Sequence, residues 1–175
     1  CVVQGTDAMA LLEVNNLGVS FVTRNGTNRA VDDVSFTVES GQITAIIGES
    51  GSGKSVACYS LLGLIPQPPG RIDSGQALFG GRDLLQLPEA ELRKVRGRDI
   101  AMVFQDPMTC LNPSMTVGKQ LVEPLRYHQK TPAAQARRRA LELLREVGIR
   151  DPESTIDNYP HQFSGGMRQR VAIAI

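Results

Sequence analysis

Residues 48–55 constrain this chain more than any other stretch, because they read Gly-Glu-Ser-Gly-Ser-Gly-Lys-Ser and match the pattern G-x-x-x-x-G-K-S. The apolar, β-branched residues 43–47 before them predict a buried strand, and the proline-free residues 56–64 after them predict a helix. A strand, a glycine-rich loop and a helix in this order form a phosphate-binding unit. The sequence therefore predicts an α/β fold that binds a nucleoside triphosphate.

The residue types in this loop fit that chemistry. Glycines let the backbone curl until successive N–H groups point inward and bind an anion. The following helix adds free N-terminal N–H groups and the positive end of its dipole. Lys54 can reach the β- and γ-phosphates, and the Ser55 hydroxyl can ligate Mg²⁺. The predicted nucleotide-binding residues are Gly48, Glu49, Ser50, Gly51, Ser52, Gly53, Lys54 and Ser55, with Lys54 also catalytic and Ser55 also a metal ligand.

Composition narrows the remaining function classes. The 175 residues are 41% hydrophobic and 21% charged, which is typical of one globular domain. A balance of 19 basic and 18 acidic residues gives no electrostatic reason to expect nucleic acid as a partner. The three cysteines are far apart and form no CxxC pair, so a thiolate metal site is not expected. No apolar run approaches the length that spans a bilayer.

The rest of the chain alternates between strand and helix patterns. Residues 11–22 and 30–38 alternate apolar and polar side chains, which predicts antiparallel strands joined by a turn at Asn25 and Gly26. Residues 76–79 with the Gly80–Gly81 turn predict a further hairpin, and residues 100–104 predict another buried strand. Helices are predicted over residues 88–95, over 117–128, and from an N-cap at Thr131 to Val147, with Gly148 as the stop.

A second motif lies near the end of the chain, where residues 163–170 read Phe-Ser-Gly-Gly-Met-Arg-Gln-Arg. Ser164 suits the N-cap of a following helix, and the two glycines after it allow a ligand to approach the backbone closely. By itself the motif fits either an anion site at a helix N-terminus or a plain capped helix.

The order of these motifs resembles the ATP-binding subunits of ABC transporters, from residue 9 onward. Residues 48–55 match the Walker A loop, Gln105 matches the Q-loop glutamine, and the signature motif is matched by Ser164, Gly165, Gly166, Met167 and Arg168. Phe21 falls where the family stacks an aromatic ring on adenine, although a strand aromatic packed in the core fits equally well. Residues 104–113 and 159–170 further resemble the oligopeptide, dipeptide and nickel importer branch, with Cys110 in place of an expected Ser.

This resemblance implies a P-loop NTPase core of mixed sheet and flanking helices, an antiparallel β subdomain and an inserted α-helical subdomain. It implies ATP and Mg²⁺ as cofactors, with Gln105 close to Mg²⁺ or the attacking water. The partners would be a second ATPase subunit in a head-to-tail homo- or heterodimer, transmembrane permease subunits and, indirectly, a substrate-binding protein. The subunit would be peripheral, on the cytoplasmic face of the cell membrane. Residues 164–168 of one subunit would contact the nucleotide held by the other.

The expected organisation is a non-native or disordered lead over residues 1–8 and a partial ABC ATPase domain over 9–175. Within it we expect the β subdomain and P-loop core over 9–105, the helical subdomain over 106–163 and the start of the signature helix over 164–175. The family's Walker B Asp, catalytic Glu and switch His would follow Ile175. We therefore expect an incomplete core with exposed apolar edges, and a chain that binds nucleotide without hydrolysing it.

Two alternatives stay open at this point. One is a different P-loop NTPase, such as a kinase or a GTPase-like protein. An Asn-Lys-x-Asp guanine motif is absent, however, and such proteins have no reason to carry Ser164-Gly165-Gly166. The other alternative is an inactive nucleotide-binding module.

Overall fold

This computed structural model divides the chain into two units, with the boundary between Arg93 and Lys94. The first unit is built around antiparallel strand pairing. The structure describes residues 10–24, 26–104 and 110–175. The strands of the first unit are β1 (Ala10–Thr23), β2 (Gly26–Glu39), β3 (Gly70–Phe79) and β4 (Arg82–Asp83). They form one sheet in the order β2-β1-β3-β4, so β1 is paired along both edges.

Both predicted hairpins are confirmed by this sheet. Thr23 pairs with Gly26 at the β1–β2 turn, and Phe79 pairs with Arg82 at the β3–β4 turn. Asn25, which helped to predict the first turn, lies outside the described residues. β3 begins at Gly70, earlier than the predicted residue 76, because pairing with β1 extends it as far as Phe21. A cross-strand partner thus lengthens a strand whose own sequence pattern is short.

Helix α1 (Lys54–Leu61) covers one face of the sheet, against β1 and β2. The alternation of the strands places apolar side chains in this core, and the helix contributes Ala57 and Leu61 to the buried residues. Ser60 is also buried, and its hydroxyl donates to the carbonyls of Val56 and Ala57, so its polar group is satisfied within the helix. The buried apolar residues of the three long strands are Val14, Leu17, Val19, Val31 and Ala77.

The two predicted buried strands are wrong for this structure. Residues 43–47 form no strand, with Ile43 100% and Ile47 93% exposed. Residues 101–104 form no strand either, and Ile100 makes only an isolated bridge to Arg96. A buried parallel strand needs neighbouring strands and a covering layer on both faces, and among the described residues no strand pairs with either segment.

The second unit is helical. Its described helices are α3 (Val117–Gln129), α4 (Ala133–Glu146), α5 (Pro152–Thr155) and α6 (Gly165–Ala174), while α2 (Glu89–Val95) crosses the boundary between the units. The predicted N-cap at Thr131 is wrong by one residue, because Pro132 has an extended ψ of 144° and is itself the cap. The predicted stop at Gly148 is confirmed by its φ of +72°. No described helix is long and apolar enough to cross a membrane.

One apolar core holds α3, α4 and α6 together, and polar contacts tie the segments around it. The Arg137 guanidinium binds both carboxylate oxygens of Asp157 at 2.9 and 2.7 Å, and it lowers the pKa of that carboxyl. The Gly118 amide donates to the Ile156 carbonyl at 2.7 Å. The buried core residues are Leu111, Val117, Leu121, Ala140, Leu144, Ile149, Ile156, Phe163, Val171 and Ala174.

Among the described glycines of this unit, Gly118 leaves the least room for a side chain. A Cβ there would lie 2.6 Å from Ile156 Cγ1 and 2.9 Å from the Ile156 carbonyl oxygen. We predict that Gly118→Ala lowers the free energy of unfolding by about 1–3 kcal/mol, because the helix must move away from Ile156. Urea denaturation followed by circular dichroism measures this change.

The matched control is Gly165→Ala in the same unit, where nothing lies within 4 Å of the added methyl group. That variant is expected to be neutral or more stable by up to about 1 kcal/mol, because alanine favours helix over glycine. Equal destabilisation by the two substitutions would contradict the packing argument.

Candidate functional site

The phosphate loop, residues 48–55, lies at the N-terminus of α1 in the first unit. Gly53 is the N-cap of that helix, and no side chain caps it. Within the described residues, the backbone amides of Gly51, Gly53, Lys54 and Ser55 make no backbone hydrogen bond. These donors, with the positive end of the helix dipole, suit a phosphate group.

Gly53 brings this loop into contact with the sheet. Its φ is +86°, and a Cβ on it would lie 2.2 Å from the Ala30 carbonyl oxygen and 3.4 Å from Val31 Cγ2. No other residue type fits a left-handed backbone pressed this closely against β2. The antiparallel sheet therefore fixes where the loop begins its helix.

Lys54 reaches back across the loop instead of into solvent. Its Nζ donates to the Gly48 carbonyl at 2.7 Å, the Glu49 carbonyl at 2.6 Å and Ser52 Oγ at 3.2 Å. An ammonium group has three donors, so all of them are satisfied inside the loop. The charge lies at the centre of the curled backbone, where a phosphate oxygen is a stronger acceptor than a carbonyl.

One described residue beside the loop, Ser55, could hold Mg²⁺. Ser55 is exposed in the first turn of α1, and its hydroxyl has no hydrogen-bond partner among the described residues. In that part of the chain, no group of three or more His, Cys, Asp or Glu side chains could hold a metal ion. Mg²⁺ binds nucleotide phosphates with few protein ligands, so one hydroxyl beside the loop fits it. Gln105, the second predicted ligand, lies outside the described residues.

Phe21 lies in β1 of the same unit, paired with Asn28 in β2 and Gly70 in β3. A Cβ at Gly70 would lie 3.3 Å from Phe21 Cε1, so the ring packs over that glycine. The side chain is half-buried, which leaves part of the ring open to solvent. Packing in the sheet and stacking on a base both fit this position.

The signature segment, residues 164–168, begins α6 in the second unit. Ser164 is the N-cap, and its hydroxyl accepts from the Met167 amide at 3.4 Å. Gly165 and Gly166 are exposed, have no positive φ, and have nothing within 4 Å of an added Cβ. Glycine costs a helix about 0.5–1 kcal/mol relative to alanine, and no described residue requires it here. The backbone of both glycines is therefore open to approach.

The other two residues of the segment face its own unit. Met167 packs against the apolar core of the helices. Arg168 is half-buried, and its Nε is buried without a hydrogen-bond partner among the described residues. The open surface of the segment thus consists of Ser164 and the two glycines, while Met167 anchors it.

Sequence patterns did not predict the polar contacts of Gln120, which support this unit. Gln120 is buried, and its side chain accepts from the Asn112 amide at 2.8 Å and donates to the Asn112 and Met115 carbonyls, both at 3.0 Å. It fixes the turn that follows the undescribed residues 105–109. A glutamine on an otherwise apolar helix face was the one available indication, and only the fold reveals its partners.

Comparison with known proteins identifies the family of this chain. A family model described as "ABC transporter" matches residues 31–175, which include both the phosphate loop and the signature segment. The chain belongs to the ABC transporter family. The resemblance inferred from the motifs is thereby confirmed, and a kinase or GTPase-like protein is set aside.

Relatives within the ABC family are similar over nearly the whole chain. An oligopeptide transport ATP-binding protein of Bacillus subtilis is 52% identical over 94% of this chain and 46% of its own length. A dipeptide transport ATP-binding protein of Escherichia coli is 49% identical over 95% of this chain and 51% of its own length. The chain therefore spans about half the length of these curated relatives.

Solved structures of ABC cassettes share the fold. A dimeric ATP-binding cassette, MJ0796, in a post-hydrolysis state with ADP and phosphate, superposes with a TM-score of 0.78 and 26% identity. The match covers 93% of this chain and 67% of the cassette. The predicted fold class, a P-loop NTPase core with antiparallel β and α-helical subdomains, is confirmed by this similarity.

The contact between Gly53 and Ala30 yields a stability prediction. Gly53→Ala should lower the free energy of unfolding by about 2–5 kcal/mol, through a left-handed backbone and a clash with a carbonyl. Gly51 also has a positive φ but nothing within 4 Å, so Gly51→Ala should cost only about 1–2 kcal/mol. Urea denaturation of both variants measures the difference, and equal losses would argue against the contact.

Proposed function

We propose that this chain is part of the ATP-binding subunit of an ABC importer, which couples ATP binding and hydrolysis to uptake of peptides or related small solutes. The observation that carries the proposal is the phosphate loop, whose free amides and central Lys54 suit a triphosphate. Family membership supports ATP as the nucleotide, and the printed names of the relatives support a peptide-type substrate.

In this proposal each loop residue has a defined task. The amides of Gly51, Gly53, Lys54 and Ser55 would bind phosphate oxygens, and Lys54 would exchange its loop carbonyls for the β- and γ-phosphates. Ser55, with Gln105, would hold Mg²⁺, which when bound neutralises phosphate charge during transfer. Phe21 would stack on the adenine ring from the sheet of the same unit.

The signature segment completes the site of a second subunit. Ser164 and the open backbone of Gly165 and Gly166 would contact the nucleotide held by the partner's phosphate loop, in a head-to-tail homo- or heterodimer. The unobstructed surface of these glycines supports that arrangement. The dimeric state of the similar cassette supports it as well. Met167 and Arg168 would keep the segment in place.

The proposed function as an importer subunit implies further partners. Transmembrane permease subunits would bind the helical subdomain, proposed over residues 106–163, and a substrate-binding protein would deliver the solute. The subunit would therefore lie on the cytoplasmic face of the membrane. The chain of 175 residues, taken alone, would bind nucleotide without turnover, because the family's Walker B Asp, catalytic Glu and switch His are not among its residues.

Lys54→Ala tests the phosphate loop. In the full-length subunit that contains this chain, it should reduce phosphate release from ATP to background, because the loop loses its only cation for the β- and γ-phosphates. The control is Lys119→Ala, an exposed lysine of α3 in the other unit. Near-normal turnover by Lys54→Ala would refute the assignment. The isolated chain, assayed in parallel, is expected to release no phosphate.

Ser164→Arg tests the role in a partner's site. The bulky cation should stop turnover by blocking approach of the second subunit, while nucleotide affinity of the monomer stays within about twofold, since the phosphate loop belongs to the other unit. Titration with a fluorescent ATP analogue and a phosphate-release assay measure the two quantities. Loss of monomer binding would show that Ser164 acts within its own chain.

A further inference from the structure

Three apolar residues of α6, Met167, Val171 and Ala174, lie on the face that packs against the core of this unit. Val171, Ala172, Ile173 and Ala174 are consecutive and point in every direction around the helix. The structure buries Val171 completely and Ala174 almost completely, and leaves Ile173 56% exposed. Packing of that face sets which side of α6 meets the core, and a directional hydrogen bond can narrow the rotation that remains.

Arg170 makes that contact. Its Nη1 donates to the Gly148 carbonyl at 2.9 Å, across 22 residues of sequence. Gly148 is held in the left-handed turn that ends α4, and its amide donates to the Arg145 carbonyl at 2.9 Å. A Cβ on Gly148 would lie 3.3 Å from Nη1, so the guanidinium rests against a position without a side chain. The acceptor is therefore fixed, and the arginine approaches it closely.

The contact lies on the same rigid helix as the signature segment. Arg170 lies six positions after Ser164, which is about 9 Å along the helix at 1.5 Å per residue. A rotation of α6 therefore moves Ser164 and the open glycines together. In an active site, misplacement by about 1 Å can cost about 100-fold in rate.

We propose that Arg170 is a positioning residue for the composite site, which it serves by fixing the rotation of α6 against Gly148. The inference rests on the proposed function of Ser164, Gly165 and Gly166 in a partner's site. The side chain of Arg170 is exposed, and an exposed hydrogen bond contributes little to the free energy of unfolding. Loss of the contact should consequently reduce turnover far more than stability.

The test uses purified full-length ATP-binding subunits without the permease. Arg170→Ala should lower kcat about tenfold, as expected for one lost charge-assisted hydrogen bond in a positioned site. KM for ATP should stay within about twofold, because the phosphate loop is untouched. Arg170→Lys keeps a donor on a long stem and should recover at least half of the lost rate. Arg138→Ala is the matched control, because that exposed arginine of α4 has no partner among the described residues.

The outcomes separate this inference from the proposed function. Wild-type subunits that release no phosphate would refute the function itself, and Lys54→Ala provides the background rate. If the wild type is active, then a kcat of Arg170→Ala equal to that of Arg138→Ala overturns the positioning role. A loss of turnover matched by an equal loss of folded protein in thermal melting also overturns it, as does failure of Arg170→Lys to recover activity.

Discussion

The close approach of Gly53 to the Ala30 carbonyl is the constraint on which the first unit depends. A Cβ would lie 2.2 Å from that oxygen, so the start of α1 is pressed against β2 by a contact that only glycine permits. β2 is in turn held by its pairing with β1, and β1 by its pairing with β3. The contact of Gly53 with β2 and the strand pairing behind it fix the position of the loop, and with it the free amides and the ammonium group of Lys54. The anion site is therefore a product of the sheet as much as of the loop sequence.

The second unit has a different task in the proposed function, where it presents backbone rather than side chains. Gly165 and Gly166 leave an open surface at the start of α6, and stability alone favours alanine there. Polar contacts hold that helix and its neighbours in place: Gln120 fixes the turn before α3, and Arg170 ties α6 to Gly148. This arrangement leaves the backbone of both glycines accessible, which suits the proposed contact with a second subunit.

Much of the secondary structure follows from local pattern, and the two predicted strands that do not form share one cause. Alternation predicted β1 and β2, and helical spacing predicted α3 and α4 to within one or two residues. Residues 43–47 are as apolar and β-branched as any strand, yet they remain unpaired and exposed. A strand inside a sheet is defined by its neighbours, so propensity alone cannot form it.

Residue types alone indicated the chemistry: a glycine-rich loop with one lysine and three serines suits a phosphate group, and Ser164-Gly165-Gly166 pointed to the family that the comparison shows. Those conclusions rest on residue types at fixed spacing, because the local backbone of a loop or a helix turn sets where neighbouring residues lie. The tertiary structure decided that Gly53 contacts β2, that Met167 faces the core and that Arg170 reaches Gly148. These contacts join residues about 20 positions or more apart, or depend on which face of a helix is buried. They exist only once the chain has packed.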